Sequence, residues 1–448
     1  MSDLDAARQV LKQLFGPPAA RSFAVRFWDG TVDAPAGHDM AFTLVLRGPG
    51  ALRRMLVPPT EMSIVNAYLF GDVDVEGDME AAASLGDLVA PRLARFGTVA
   101  RLARRVLALP SEPARGPSGQ PPHRWRGGLR RSHSVARDRR AVRFHYDVGN
   151  EFFALWLDRR MVYSCAYFEH DNTDLDVAQQ AKLDYVCRKL RLRAGERLLY
   201  IGCGWGALIL HAAQHYGVEA VGITLSERQA AVARQRIVDA RLESRCKVEV
   251  RDYRELADEG LFDKVASIGM VEHVGLGQLP DYFRAAFRAL KPGGLFLNHG
   301  IVSIAGARAR SLGQRLAARL WRRNVFINRY VFPDAVLVPV APVIDAAERA
   351  GFETRDLESL REHYAMTLRH WVRRLERHER EAIRLVGEVT YRAWRLYMAG
   401  SAYGFRSGRI GVLQTLFAKP DARGSTGLPL TRADLYATGQ LALPASTR

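Results

Sequence analysis

"RLLYIGCGWGAL", residues 197–208, decides the fold. Its first five residues form an apolar run, which suits a buried strand. Glycines then punctuate the chain at Gly202, Gly204 and Gly206, and an apolar periodicity resumes over 205–216 as a helix candidate. Glycine lets a backbone approach a ligand closely, and a helix start offers N–H groups without intrahelical partners. This is how a nucleotide-binding strand–turn–helix reads. A G-x-G-x-G turn serves both NAD enzymes and methyltransferases, so alone it leaves the cofactor open. Tyr200 stands where such turns usually carry an acid.

Outward from this turn, strand and helix candidates alternate. Strands are expected at 197–201, 219–224, 246–252, 262–269 and 294–301, and helices at 205–216, 226–240 and 279–290. Such alternation with short loops predicts an α/β, doubly wound, mostly parallel sheet, with ligands outside the carboxyl ends of the strands. A dinucleotide enzyme wants an acid at the end of the second strand for the ribose. Here that strand ends "GITLSERQ", residues 222–229, with no acid until Glu227. Gln229 can hold ribose hydroxyls, or complete a capping box with Ser226.

The chain has 448 residues, 48% of them hydrophobic, enough for two or three domains. Residues 1–110 read as a small α/β domain: "MSDLDAARQVLKQLFG" as an amphipathic helix, "MAFTLVLRG" (40–48) as a strand, and "EMSIVNAYLFGDVDVEGD" (61–78) as a helix followed by an acidic turn. Residues 111–141 are rich in proline, glycine, serine and arginine and read as a mobile linker. After 305 the chain turns helical and basic, giving cap helices within 305–400; 421–448 is a tail.

The formal net charge of +17 calls for an anionic partner. From Arg101 to Arg143 there are twelve arginines against Glu112 and Asp138. The segment is either a solvated linker or a tether to anionic lipid, which gains about 1 kcal/mol per basic residue near such a surface. Nucleic acid fits less well, since only Trp125 offers an aromatic to stack on a base. "ARARSLGQRLAARLWRRNVFINR" (307–329) holds seven arginines and no acid, and reads as an amphipathic helix on the sheet or at a membrane interface. Cys165, Cys187, Cys203 and Cys246 show no CxxC spacing, which fits a reducing compartment without structural zinc. The N-terminus lacks the basic and apolar regions of a signal peptide, and no run of about 18 apolar residues occurs. The expectation is a cytoplasmic protein peripheral to the inner membrane.

Seven further stretches occur in order: "HYDVGNEFFALWLD" (145–158), "MVYSCAYFEHDNTDLDVAQQAKLDYVCRKL" (161–190), "IGCGWGAL" (201–208), "VGITLSERQ" (221–229), "RDYREL" (251–256), "GMVEHVG" (269–275) and "EHYAMTLRHW" (362–371). Together they closely resemble the cyclopropane-fatty-acid synthase family of S-adenosylmethionine (SAM)-dependent methyltransferases, over residues 142–418. "ALRRML" (51–56) and "GDVDVEGDMEA" (71–81) resemble that family's N-terminal lipid-associated domain. The resemblance implies a Rossmann-like class I SAM-methyltransferase domain over 142–420.

It also implies a reaction. A cis double bond of a phospholipid acyl chain takes the sulfonium methyl, and proton loss from the resulting cation closes a cyclopropane ring. The base implied is a bound bicarbonate. Its implied partners are Cys165 and Ile301 through the backbone, and Glu272, His299 and Tyr364 through side chains. Around SAM the resemblance places Tyr163 and Ser164 as a closing pair and Gly202, Cys203 and Gly204 as the turn. Thr224, Leu225 and Gln229 flank the ribose, Asp252, Tyr253 and Arg254 the adenine end, and Ile268 forms an apolar wall. Two residues depart from the pattern: Tyr200 replaces the usual acid, and Ser401 in "YMAGSAYGFR" (397–406) stands where many members carry a cysteine. Alkene methylation needs no enzyme nucleophile, so the second departure leaves the mechanism intact. Expected partners are a phospholipid bilayer and unsaturated acyl chains, with no nucleic acid and with homodimerisation open. Loss of a different proton gives a methylene-branched chain instead. A non-catalytic SAM- or lipid-binding homologue, or methylation of another acceptor such as a small amine or a carrier-bound acyl chain, are the competing readings.

Overall fold

The computed structural model describes residues 2–35, 40–93, 96–111, 135–256, 262–304 and 325–436. The chain forms two compact units. One comprises Met1–Gly127, Gly306–Pro333 and Trp371–Gly404; the other comprises Gly128–Ala305, Asp334–His370 and Phe405–Arg448.

The first unit opens with the helix Asp3–Phe15, whose start is fixed by a capping box: Ser2 Oγ accepts from Asp5 N at 3.1 Å and Ser2 N donates back to Asp5 Oδ2 at 3.2 Å. Ala7, Val10, Leu11 and Leu14, spaced to share a helix face, are all buried. Its sheet has the order β2-β1-β3-β4, with β1 Ala24–Arg26, β2 Val32–Asp33, β3 Phe42–Leu46 and β4 Val73–Gly77. β4 replaces the acidic turn expected after the helix Glu61–Leu69. Val73 and Val75 point into the core while Asp74 and Glu76 alternate with them on the other face, the period of a half-buried strand. Asp74 is matched by Arg47 at 2.6 Å and by Arg392 at 3.0 Å. Arg395 in turn donates to Val75 O and Tyr68 Oη, each at 3.2 Å. Part of the region expected to cap the C-terminal domain thus packs on the N-terminal sheet.

The second unit is built on a sheet of order β10-β11-β9-β8-β5-β6-β7. β5 is Arg197–Ile201, β6 Glu219–Thr224, β7 Cys246–Val250, β8 Phe262–Ile268 and β9 Leu290–Ser303; neighbours among these five run parallel. β10 Glu353–Ser359 and β11 Ile410–Ala418 add an antiparallel pair beside β9. Sequence periodicity misses both. β10 falls where cap helices are expected, and its alternating partial exposure marks an edge strand stabilised by pairing rather than burial. β5 is buried on both faces: Leu198 and Tyr200 on one, Leu199 and Ile201 on the other. Strand order reverses at β5, with β6 on one side and β8 on the other. This is the switch point where doubly wound sheets open a crevice.

Residues 135–141, read from sequence as linker, belong to the helix Val135–Tyr146. Residues 112–134 and most of the basic stretch 307–329 lie outside the described residues. Val325–Tyr330 is helical.

Candidate active site

A cavity opens at the carboxyl ends of β5, β6 and β7. The turn after β5 forms its floor. Gly202 has φ +79°, and a Cβ there would come within 2.5 Å of Met270 Cγ, so only glycine fits. The N–H groups of Gly202 and Cys203 both donate to Ile223 O at 2.9 Å, tying the turn to β6. Gly206 starts the helix Ala207–Tyr216 without a side-chain cap. Trp205 Nε1 donates to Asn150 Oδ1 at 2.9 Å. Its ring joins Tyr146, Phe153, Trp156 and Tyr163 in an aromatic cluster, Trp205 lying 5.2 Å from Phe153 and 5.7 Å from Tyr146.

At the end of β6, Thr224 Oγ1 donates to Gln229 Oε1 at 3.0 Å, and Ser226 Oγ accepts from Gln229 N at 3.3 Å. The backbone half of the capping box therefore forms. The Gln229 side chain is buried, and its amide also faces the Tyr146 hydroxyl. At the end of β7, Arg254 grips Asp252 through Nε at 2.8 Å and Nη2 at 2.7 Å, and reaches Asp138 at 3.0 Å. Asp138 and Tyr146 both come from the Val135–Tyr146 helix, so that segment is cavity wall.

Twelve of the residues singled out from sequence line this one cavity: Tyr163, Ser164, Gly202, Cys203, Gly204, Thr224, Leu225, Gln229, Asp252, Tyr253, Arg254 and Ile268. Tyr200 lines it too. Burial pushes the Tyr200 hydroxyl well above the usual phenol range, so it stays neutral where an acid is customary.

A second cluster stands at the ends of β8 and β9. Glu272 lies on the short helix Val271–Val274 after β8; its Oε1 accepts from Ile301 N at 2.6 Å. Gly300 leaves room for this: a Cβ there would lie 2.1 Å from Val271 Cγ1, so any other residue would force the Val271 side chain beside Glu272 to move. Burial raises the Glu272 carboxyl to about 7, against the opposing pull of the Ile301 N–H. His299 is buried, and that burial, helped by the charges of Lys182 and Lys189, holds it well below the usual histidine range. Gln414 Nε2 lies 3.1 Å from His299 Nδ1. An amide nitrogen can only donate, so with Gln414 in this orientation the neutral ring carries its proton on Nε2. Glu272 Oε2 and His299 Nε2 are both buried without a partner among the described residues. Met270, His273 and Val274, which flank Glu272, line the cavity.

Leu360 connects the rest. Cys165 Sγ donates to Leu360 O at 3.7 Å, Tyr364 N donates to the same oxygen at 3.0 Å, and Leu360 N donates to Val412 O at 2.9 Å. Val412 is the cross-strand partner of Ile301. One backbone unit thus gathers Cys165, Tyr364 and Ile301. Burial drives the Cys165 thiol far above its ordinary range, so it is no nucleophile. Tyr364 packs its ring 4.6 Å from Phe405. Ser401 is half-buried on the helix Glu388–Arg406 and belongs to the first unit.

Sequence reasoning missed Tyr146, Asp138, Lys182 and Gln414. Lys182 carried a signal. It shares the spacing of Gln179, Leu183 and Val186, the buried face of the helix Leu175–Lys189.

The family model for mycolic acid cyclopropane synthetase matches residues 133–415. The chain belongs to that family. A probable fatty acid methyltransferase of Pseudomonas putida is 39% identical over 424 residues, covering 94% of this chain and 98% of that protein. One from Mycobacterium tuberculosis is 35% identical over 412 residues, 90% of this chain and 92% of its own length. Among solved structures, the mycolic acid cyclopropane synthase CmaA1, complexed with S-adenosylhomocysteine (SAH) and CTAB, is 34% identical at a TM-score of 0.58; the match covers 62% of this chain and 97% of that one. The fold is that of the class I SAM-dependent methyltransferases, and the protein is an enzyme of that class. The cavity suits SAM on its own chemistry: a glycine turn with left-handed backbone at Gly202, Gly204 and Gly206, the buried Gln229 amide and an aromatic wall.

Proposed function

We propose that this enzyme transfers a methyl carbon from SAM to the cis double bond of unsaturated acyl chains in membrane phospholipids, giving cyclopropane fatty acids. The observation that carries this reading is that Glu272 Oε2 and His299 Nε2, on the short helix after β8 and on β9, are both buried without a partner among the described residues. An alkene acceptor creates a proton that must be removed without water, and these two groups suit that task.

SAM supplies the activated methyl carbon. The chain's own residues do the rest. The Tyr146, Phe153, Tyr163 and Trp205 rings would keep the reacting end dry, which raises the value of every polar contact there. Glu272, raised to about 7, is poised to hold or release a proton near neutral pH. Neutral His299 would donate from Nε2. A bicarbonate ion fits this donor–acceptor pair: its hydroxyl would donate to Glu272 Oε2, and His299 would donate to its oxyanion, with Tyr364 and the Cys165 and Ile301 backbones assigned by the resemblance. Bicarbonate would serve there as the proton acceptor.

Among the described residues no helix is long and apolar enough to cross a membrane. Reaching an acyl chain therefore calls for peripheral contact. The arginine-rich stretches support binding to anionic lipid, which should weaken as salt rises.

A second reading, a methylene- or methyl-branched product, is favoured by one finding: two relatives matched over nearly the whole of this chain are named probable fatty acid methyltransferases. Expression in a bacterium that lacks cyclopropane lipids, followed by fatty-acid mass spectrometry, tests both. The expected product is heavier by one CH2, sensitive to acid and resistant to ozone. Ozone sensitivity would establish the branched alkene instead. Unchanged lipids in cells that make folded, SAM-binding protein would refute both.

A further inference from the structure

Lys182 lines the cavity and its side chain is 1% exposed. Its Nζ donates to Ser164 Oγ at 2.9 Å, and it makes no ion pair among the described residues. A buried ammonium is stable only when its charge is matched, and it has three donors to place. Asp158 is the carboxylate that acts on it electrostatically, but Asp158 is committed elsewhere: Oδ1 accepts from Val162 N at 2.7 Å and Oδ2 from Arg160 N at 3.0 Å.

The acids that line the cavity are Asp138 and Asp252, and Arg254 holds both. Arg251, the other guanidinium lining it, faces Glu249 at 3.6 Å. Position 200, where an acid is customary, offers a neutral phenol. The cavity is thus electrically lopsided. Its β7 end closes on itself through Arg254, while its Ser164 end presents the Lys182 ammonium with no carboxylate in ion-pair contact among the described residues, Asp158 acting on it only from a distance.

We propose that Lys182 binds a carboxylate-class oxyanion in this cavity, the amino-acid carboxylate of the cofactor in first place. The proposal rests on reading the cavity as the SAM site. It explains why a cation is tolerated next to a site for a sulfonium: the carboxylate intervenes between like charges. It also gives Ser164 its role, since an oxygen that accepts from Lys182 turns its own hydroxyl proton towards the same anion. His299 feels the Lys182 charge, so bicarbonate is the other source of the same chemistry.

Calorimetric titration separates these. SAH carries the carboxylate; 5′-methylthioadenosine has the same adenosine and thioether without the amino acid. In Lys182→Met the affinity for SAH should fall by about ten- to a hundredfold, the scale of a lost charge-assisted bond. Methylthioadenosine should change by less than about twofold. Lys182→Arg should retain most of the SAH preference. If Lys182→Met keeps SAH but loses the thermal stabilisation that sodium bicarbonate gives the SAH-saturated wild type, bicarbonate is the anion held. Unchanged responses to SAH and to bicarbonate overturn the proposal. A wild type that binds neither nucleoside refutes the SAM site itself, and the Lys182 assignment with it. Should the Met variant fail to fold, Lys182→Gln, which can still reach Ser164, reads the same ratio.

Discussion

Replacing Glu272 by glutamine keeps shape and removes charge. The side-chain amide of the Glu272→Gln variant would keep an oxygen for Ile301 N, now bonded at 2.6 Å, and lose the titrating group. The wild-type carboxyl is raised from 4.5 to about 7 by burial. Between those values the folded chain binds a proton that the unfolded chain has released. Stability therefore falls as pH rises through that window, by about 3 kcal/mol at 1.36 kcal/mol per pKa unit. Glu272→Gln abolishes that loss. The variant should match the wild type at about pH 4.5 and exceed it by up to about 3 kcal/mol at about pH 8 in equilibrium denaturation. Turnover should fall by about a hundredfold or more, the usual reach of a positioned acid–base group. SAH affinity should stay within about twofold, since Glu272 does not line the cofactor cavity. Parallel pH–stability curves for the two proteins would refute the burial argument. Loss of SAH affinity in step with turnover would refute the assignment to the reacting end.

Two other substitutions probe the same architecture. Tyr200→Asp removes a ring packed in the sheet core beside Cys203 and Leu208; it should cost about 2–4 kcal/mol of stability and leave SAH binding no tighter, whereas tighter binding by calorimetry would make the tyrosine a defect rather than a rebuilt wall. Gly300→Ala sets a Cβ against Val271 and should break the Glu272–Ile301 hydrogen bond, costing about 1–3 kcal/mol in chemical denaturation and lowering kcat with SAH affinity intact; full activity would show that the short helix can shift without consequence.

The parallel core was legible because its strands are apolar on both faces and separated by helical periods; β5 and β6 fall where the residues place them, at 197–201 and 219–224. Residues that the family resemblance singled out line one cavity because many of them sit on the turns that end those strands. β4 was hidden by the acids on its outer face, and β10 by an edge position where pairing outweighs composition. Asp138 was hidden by its neighbours, an arginine-rich stretch that reads as linker until Arg254 is seen across from it. Gln414 could not be found from sequence: only the pairing of β11 with β9, more than a hundred residues apart, sets its amide against His299. Cys165 and Tyr364 came from family resemblance; the shared Leu360 carbonyl, with the bonds from Ala166 N to Thr367 Oγ1 and from Phe168 N to His363 Nδ1, gives their proximity a physical basis.

The reversal of strand order at β5 has an evolutionary side. The turns that end β5, β6 and β7 form one part of the cavity, joined by Tyr163, Ser164 and Lys182 from earlier in the chain; Glu272, His299 and Gln414 ride on or beside β8, β9 and β11, encoded later and held by separate hydrogen bonds. Inheritance can therefore treat the two as different modules. A change confined to the later segment would alter the surroundings of Glu272 and His299 while leaving the turns after β5, β6 and β7 as they are.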